Sequence, residues 1–216
     1  MLDKQLRAAN IKEEENNIRN REAIKILLDI AKTLGRQELA FRGNDGSEGN
    51  FITIVKLVAR HNSHLKSWLS DEMMKPFSVK YLSPASQNEF ISLLADDVKS
   101  RIARDVNSAG IFSVMADTSP DSSNTDRLFV AVKYVDEENS PRERVLKMKE
   151  AIDKTGQGQA KEILDTLNSK VSSKCELVYQ PYDYTASMSG SFKGAQQCLQ
   201  DMVGRSISYI PCQSHR

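Results

Sequence analysis

The sequence predicts an α/β protein with a helical N-terminal region and a mixed sheet after it, and three observations carry that prediction. Apolar residues recur at helical spacing as far as Val106 and at strand spacing after Gly110. The second half then reads as three strands, a helix, a strand, a helix and a strand. That order suits a sheet with an antiparallel hairpin edge followed by right-handed crossovers. Two of the apolar runs, 111–116 and 176–182, each give way to an aspartate, Asp117 and Asp183.

In chain order, the 216 residues suit one domain of ordinary size or two small ones. Residues 1–22 are strongly polar, with Glu13-Glu14-Glu15-Asn16-Asn17 in the middle, and read as a solvated or frayed lead-in. Ile24, Leu27, Leu28, Ala31 and Leu34 follow at helical spacing, with Gly35 as a stop. Residues 41–50 are a loop by composition. A second amphipathic helix carries Phe51, Ile54, Val55, Val58, Leu65, Trp68 and Leu69. Ser83-Pro84 supplies an N-cap and a first-turn proline for a third. Its stripe is Phe90, Leu94, Val98, Ile102 and Val106, four residues apart, and Gly110 ends it.

Strands are expected at 111–116 and 128–135, with a weaker one at 144–148. A short helix on Ala160, Ile163, Leu164 and Leu167 enters through Gly156. Strand 176–180 comes next, then a helix on Phe192, Ala195, Leu199 and Met202 closed by Gly204, then strand 207–210. This is the strand order of the ribonuclease H-like fold, in which the ends of the first and fourth strands lie side by side. The domains expected are a helical region, 1–110, with 1–20 poorly ordered, and an incomplete ribonuclease H-like core, 111–216.

Composition narrows the function. A net charge of +1 excludes a globally basic nucleic-acid coat but leaves room for a local patch. No apolar run is long enough for a membrane span, and the first residues lack a signal-peptide core. Three cysteines, Cys175, Cys198 and Cys212, are not spaced as a disulfide framework, which points to a reducing compartment, nuclear or cytoplasmic.

A carboxylate where a buried strand runs out is held rigidly while its head reaches a cleft, as a divalent-metal ligand requires. Asp117 and Asp183 could share Mg²⁺ or Mn²⁺ in that way; equally, an aspartate after a strand commonly opens a turn. Cys212 and His215 have the spacing of half a zinc site, with no second half in view. His61 and His64 lie at helical i, i+3 spacing and read as surface residues. Lys56, Arg60, Lys99, Arg101 and Arg104 could touch phosphates, but Asp96, Asp97 and Asp105 among them favour a solvated face. The glycines at 43, 46 and 49 follow no strand and make no nucleotide-binding loop.

Several short motifs then occur in a characteristic order: Phe41-Arg42-Gly43, Gly49-Asn50-Phe51, Tyr81-Leu82-Ser83-Pro84 with Gln87-Asn88-Glu89, Ala116-Asp117 with Asp121, and Tyr182-Asp183 with Met188-Ser189-Gly190. Cys212-x-x-His215 closes the series. From about residue 20 onward the chain resembles hAT-family transposase-derived proteins, in the group typified by zinc finger MYM-type protein 1-like proteins. The resemblance implies a ribonuclease H-like core with an Asp-Asp-Glu triad, whose first two acids are Asp117 and Asp183 and whose third is absent here. It implies Mg or Mn in a complete homologue and no cofactor held by this fragment alone. The partners it implies are DNA, or a second copy or another protein through the helical region, with no membrane. Where relatives carry an acid after the first Asp, a Gly after the second and a His before the motif Cys, this chain has Thr118, Tyr184 and Pro211. The expected role is transposon-derived nucleic-acid or chromatin association without independent catalysis. The alternatives are a transposase completed by a longer isoform or partner, and a protein-interaction module of a transcriptional repressor.

Overall fold

The computed structural model describes residues 2–44, 48–70 and 81–211, apart from the side chains of 2–5 and 8. The chain divides into two compact units, 1–96 and 97–216.

The first unit is helical: α1 (Leu2–Arg36), α2 (Asn50–His61), α3 (Ser63–Ser70) and the start of α4 (Pro84–Ala109). The polar lead-in, expected to fray, is continuous with α1. Its Glu, Lys, Arg and Ala residues are good helix formers, so polarity there sets exposure rather than conformation. The chain runs helically through Gly35, and Glu38 instead takes the left-handed position, at φ 56°. The single second helix expected is two. At Asn62 the backbone turns extended, and its Oδ1 accepts from the Leu65 N–H at 2.9 Å, so this residue starts α3. Asparagine competes for backbone hydrogen bonds in this way wherever it interrupts a helix.

Ala23, Leu27 and Leu34 of α1, Phe51 and Val55 of α2, Leu65 and Trp68 of α3, and Phe90 of α4 form one core. The Trp68 indole N–H donates to Asn20 Oδ1 at 2.9 Å, which ties α1 to α3. The motifs of the sequence meet here as packing. Phe41 stacks on Phe51 at 6.0 Å, and Phe90 lies 6.2 Å from Phe51 and 6.3 Å from Tyr81. Asn50 Nδ2 donates to Ala40 O, Arg42 donates to Asn88, and Gln87 Nε2 donates to Leu82 O. Ser83 Oγ accepts from the Ser86 N–H at 3.1 Å, the expected cap of α4.

The four-residue stripe of α4 does not hold as one face, because each step of four turns about 40° around a helix. Phe90 belongs to the first core, Ile102 and Val106 to the second, and Val98 between them is 54% exposed. Helix α4 ends at Ala109 and Gly110 adopts φ 71°.

The second unit carries a five-stranded sheet in the order β3-β2-β1-β4-β5. Its elements are β1 (Ile111–Pro120), β2 (Asp126–Val135), β3 (Pro141–Glu150), α5 (Gly156–Asn168), β4 (Glu176–Tyr182), α6 (Ala186–Ser189), α7 (Ala195–Val203) and β5 (Ser208–Pro211). As expected, β1 and β2 pair antiparallel and β4 lies parallel to β1. The weak third strand is a full ten-residue partner of β2. Burial alternates along β1: Phe112, Val114 and Ala116 are buried, and with Leu128, Val130, Val132 and Tyr134 of β2 they share a core with α5, α7 and the end of α4. The opposite face of the sheet stays open, with Ile111, Phe129, Val135, Val145, Met148 and Tyr179 all exposed.

Two differences from the sequence reading matter for the site. Strand β1 does not stop at Ala116 but runs on to Pro120, paired with Asp126, so Asp117 lies within the strand. Helix α7 starts at Ala195, which leaves Phe192 outside it and 89% exposed. Glycines set that start. A Cβ on Gly156 would sit 2.0 Å from Lys193 O, and one on Gly194 would sit 2.3 Å from Gly190 N. The first turn of α5 therefore packs directly on the backbone leading into α7.

Candidate functional site

Asp117 is half-buried and paired in register with Phe129, on the face of the sheet away from the helices. Asp183 is also half-buried and directly follows the last residue of β4. The parallel ladder between β1 and β4 ends with Ser113 opposite Tyr179. Each aspartate stands four residues beyond that pair. Even steps along a strand keep its face, so Asp117 has the parity of Ser113; past that pair no ladder joins β1 to β4 among the described residues, and Asp183 lies beyond the end of β4.

Backbone groups fix both carboxylates. Asp117 Oδ1 accepts from the Thr118 N–H at 2.8 Å. Asp183 Oδ1 accepts from the Thr185 hydroxyl at 2.7 Å and from the Thr185 N–H at 3.2 Å. In both residues Oδ1 is the oxygen engaged in these bonds. The Tyr209 hydroxyl donates to the Asp183 carbonyl at 3.5 Å, fixing the backbone from β5. Tyr184 turns outward and is 48% exposed.

The same local device occurs once more. Asp153 Oδ1 accepts from the Thr155 hydroxyl at 2.7 Å and its N–H at 2.9 Å; Thr155 also accepts from the Gly158 N–H to cap α5, whereas Thr185 stands at the N-cap position of α6 without a side-chain cap bond. The Thr155 hydroxyl, then its N–H, hold the Asp153 carboxyl below the usual range. Asp-x-Thr is thus a helix start in this fold. Asp183 makes the same turn, and its place at the end of β4 separates it from Asp153.

Neither Asp121 nor Asp136 belongs to the site, and sequence reading missed what they do. Asp121 accepts from Ser123 N, Ser123 Oγ, Thr125 N and Arg127 Nε, all at 3.0 Å or less. Asp136 repeats the pattern with Glu138 N, Ser140 N and Arg142 Nε. Asn124 and Asn139 take φ 57° and 58° in the two turns. The signal was in plain sight as Asp-x-x-Asn-(Thr or Ser)-x-Arg, starting at 121 and again at 136. These clamps hold both carboxyls well below the usual range, Asp121 through Ser123 first and then Arg127, Asp136 through Ser140 first and then Arg142.

The remaining candidates fall away from the site. Cys212 and His215 lie outside the described residues. His61 and His64 are exposed. Arg101 pairs with Asp97 at 2.9 Å, and Lys56 pairs with Glu48, as a solvated face would have it. Among the described residues no group of three or more His, Cys, Asp or Glu side chains could hold a metal ion. No helix among them is long and apolar enough to cross a membrane. Two carboxylate oxygens are hard donors that suit Mg²⁺ or Mn²⁺, and magnesium is commonly held by one or two carboxylates with water completing its shell.

One family's sequence model, described as ZMYM1/FAM200, RNase-like domain, matches residues 3–194. The match takes in the helical unit, all of β1 to β4 and both aspartates.

Proposed function

The chain belongs to the ZMYM1/FAM200 RNase-like domain family, and we propose that it is a transposon-derived, hAT-like protein that associates with nucleic acid or chromatin without cutting it. The observation that carries this reading is the pairing of the site's geometry with its donor count. The sheet order sets β1 beside β4, with Asp117 in the one strand and Asp183 directly after the other. Strand cleavage by paired metal ions needs attacking and leaving oxygens clamped together. Two carboxylates, each with one oxygen turned to the backbone, are too few donors for that.

A single Mg²⁺ or Mn²⁺ would supply a weak bridge between these carboxylates and a backbone phosphate. The chain's own part is to hold Asp117 by the ladder of β1 with β2, and Asp183 by the turn into α6. Nucleic-acid contact through this face would then depend on divalent cation and fall with salt. The test is fluorescence anisotropy of a labelled DNA duplex with and without Mn²⁺. Binding by the wild type should strengthen severalfold with Mn²⁺ and lose that gain in Asp117→Asn/Asp183→Asn. Equal binding under all four conditions would refute the role of the pair.

A second reading, a protein-interaction module, draws support from the open sheet face, where Ile111, Val135, Val145 and Met148 are exposed. It differs in what it expects of Mn²⁺, to which protein association through that face would be indifferent.

A further inference from the structure

We infer that the loop 190–194 is a contact for an unpaired nucleic-acid strand, the Phe192 ring stacking on a base and the Lys193 ammonium pairing with a backbone phosphate. The inference rests on the nucleic-acid reading given above and names the form of nucleic acid that fits; it needs neither Asp117, Asp183 nor a divalent cation. Phe192 is 89% exposed, outside α7 and between exposed Ser191 and Lys193. A single apolar side chain on a surface is ordinary, but the backbone under this one is pinned. The Gly194 N–H donates to Gly190 O at 2.9 Å, the Gly190 N–H to Ala186 O at 3.2 Å, and Gln196 Nε2 to Ser189 O at 2.6 Å. The chain closes on itself at Gly190 and Gly194, where neither residue has room for a Cβ. Residues 191–193 are thus the tip of a fixed neck, and a ring with only two side-chain torsions is held out at low entropic cost.

The surroundings favour a base over a protein pocket. An anchor for a protein is ringed by near-neutral contacts that exclude water, whereas this tip offers a serine and a cation. Among the described residues Lys193 has no ion-pair partner. Helix α7, nine residues long, starts at Gly194 without a side-chain cap, so the positive end of a helix also stands behind the ring. An aromatic face beside a cation matches one nucleotide, since every base has a π-face and carries a phosphate next to it. Paired bases are closed by their own stack, so the ring selects an unpaired strand.

The experiment titrates the full chain into labelled oligothymidylate, and separately into a labelled duplex, with EDTA present so that no divalent cation takes part. Phe192→Ala should weaken the single strand about tenfold, with duplex binding and melting temperature unchanged. Phe192→Trp should keep the wild-type affinity and Phe192→Leu should not. Lys193→Gln should lower the slope of log affinity against log salt by about 0.7, the share of one phosphate on a single strand; an unchanged slope would overturn the phosphate contact. If the wild type binds the single strand and Phe192→Ala binds it equally well, the stacking role is wrong and the nucleic-acid reading stands. If Phe192→Leu matches the wild type, the residue is an apolar anchor and the stacking role is again wrong. Binding of the duplex alone would overturn the inference, and binding of neither would overturn the nucleic-acid reading with it.

Discussion

Each hairpin aspartate, Asp121 and Asp136, collects backbone N–H groups, and an arginine six residues on pairs with it, at 2.8 and 2.5 Å. Both carboxyls are held below their ordinary value, so each stabilises the fold above the pKa it has in the unfolded chain, about 3.9. That contribution is lost as pH falls through the lower folded value. Asp121→Asn/Asp136→Asn should therefore flatten the loss of stability between about pH 4 and pH 2, which urea melts across that range would read. A slope as steep as the wild type would show that the clamps do not set it. Asp183 admits a different separation of roles. Asp183→Asn keeps an oxygen for Thr185 and should leave stability within about 0.5 kcal/mol, whereas Asp183→Ala should cost about 1 kcal/mol. Asp117→Asn, which removes one of two like charges, should stabilise the fold or leave it unchanged. A large loss in Asp183→Asn would mean that the charge, and not the turn, is structural there.

The elements are joined by backbone contacts that tolerate no side chain, Gly156 against Lys193 among them. Gly156→Ala should cost about 2 kcal/mol, because its Cβ would collide with the Lys193 carbonyl rather than a movable side chain. Gly35 makes the opposite case. It lies inside α1 with nothing within 4 Å of its missing Cβ, so Gly35→Ala should stabilise by about 0.5–1 kcal/mol. Denaturant midpoints of the two variants should move in opposite directions. This scale also separates what the sequence displays from what it hides. The strand runs, the Ser83 cap and the stops at Gly110 and Gly204 are local and periodic, and all are legible. The break at Asn62 is not, since apolar spacing continues across it and only a side-chain bond to Leu65 decides it. The reach of β1 past Asp117 is not legible either, since no apolar run marks residues 117–120 and the turn that follows is held by the polar bonds of Asp121. The Thr155 and Thr185 devices are two Asp-x-Thr triplets whose meaning appears only once both are seen to start helices.

Over the whole molecule, one face of the second unit's sheet is packed and the other is not. Ile111, Val135 and Met148 are 56%, 52% and 69% exposed on the open side, with the Lys133–Glu143 ion pair between Val135 and Val145 in the register. The chain should bind a hydrophobic dye or self-associate at micromolar concentration, and Val145→Lys/Met148→Lys should suppress both. The β3 edge itself should not drive association, because its bulge and its alternating Arg, Glu and Lys residues discourage strand addition. A dye-silent monomer with a sharp cooperative melt would count against an open apolar face. The family assignment and the sheet order agree on an RNase-like domain, and we propose that the domain does not cut nucleic acid. The most direct measurement is nicking of supercoiled plasmid by the purified chain in Mn²⁺ and in Mg²⁺, beside Asp117→Asn and Asp183→Asn. The account predicts no nicking above the buffer background by any of the three proteins; robust metal-dependent nicking by the wild type, lost in both variants, would contradict it.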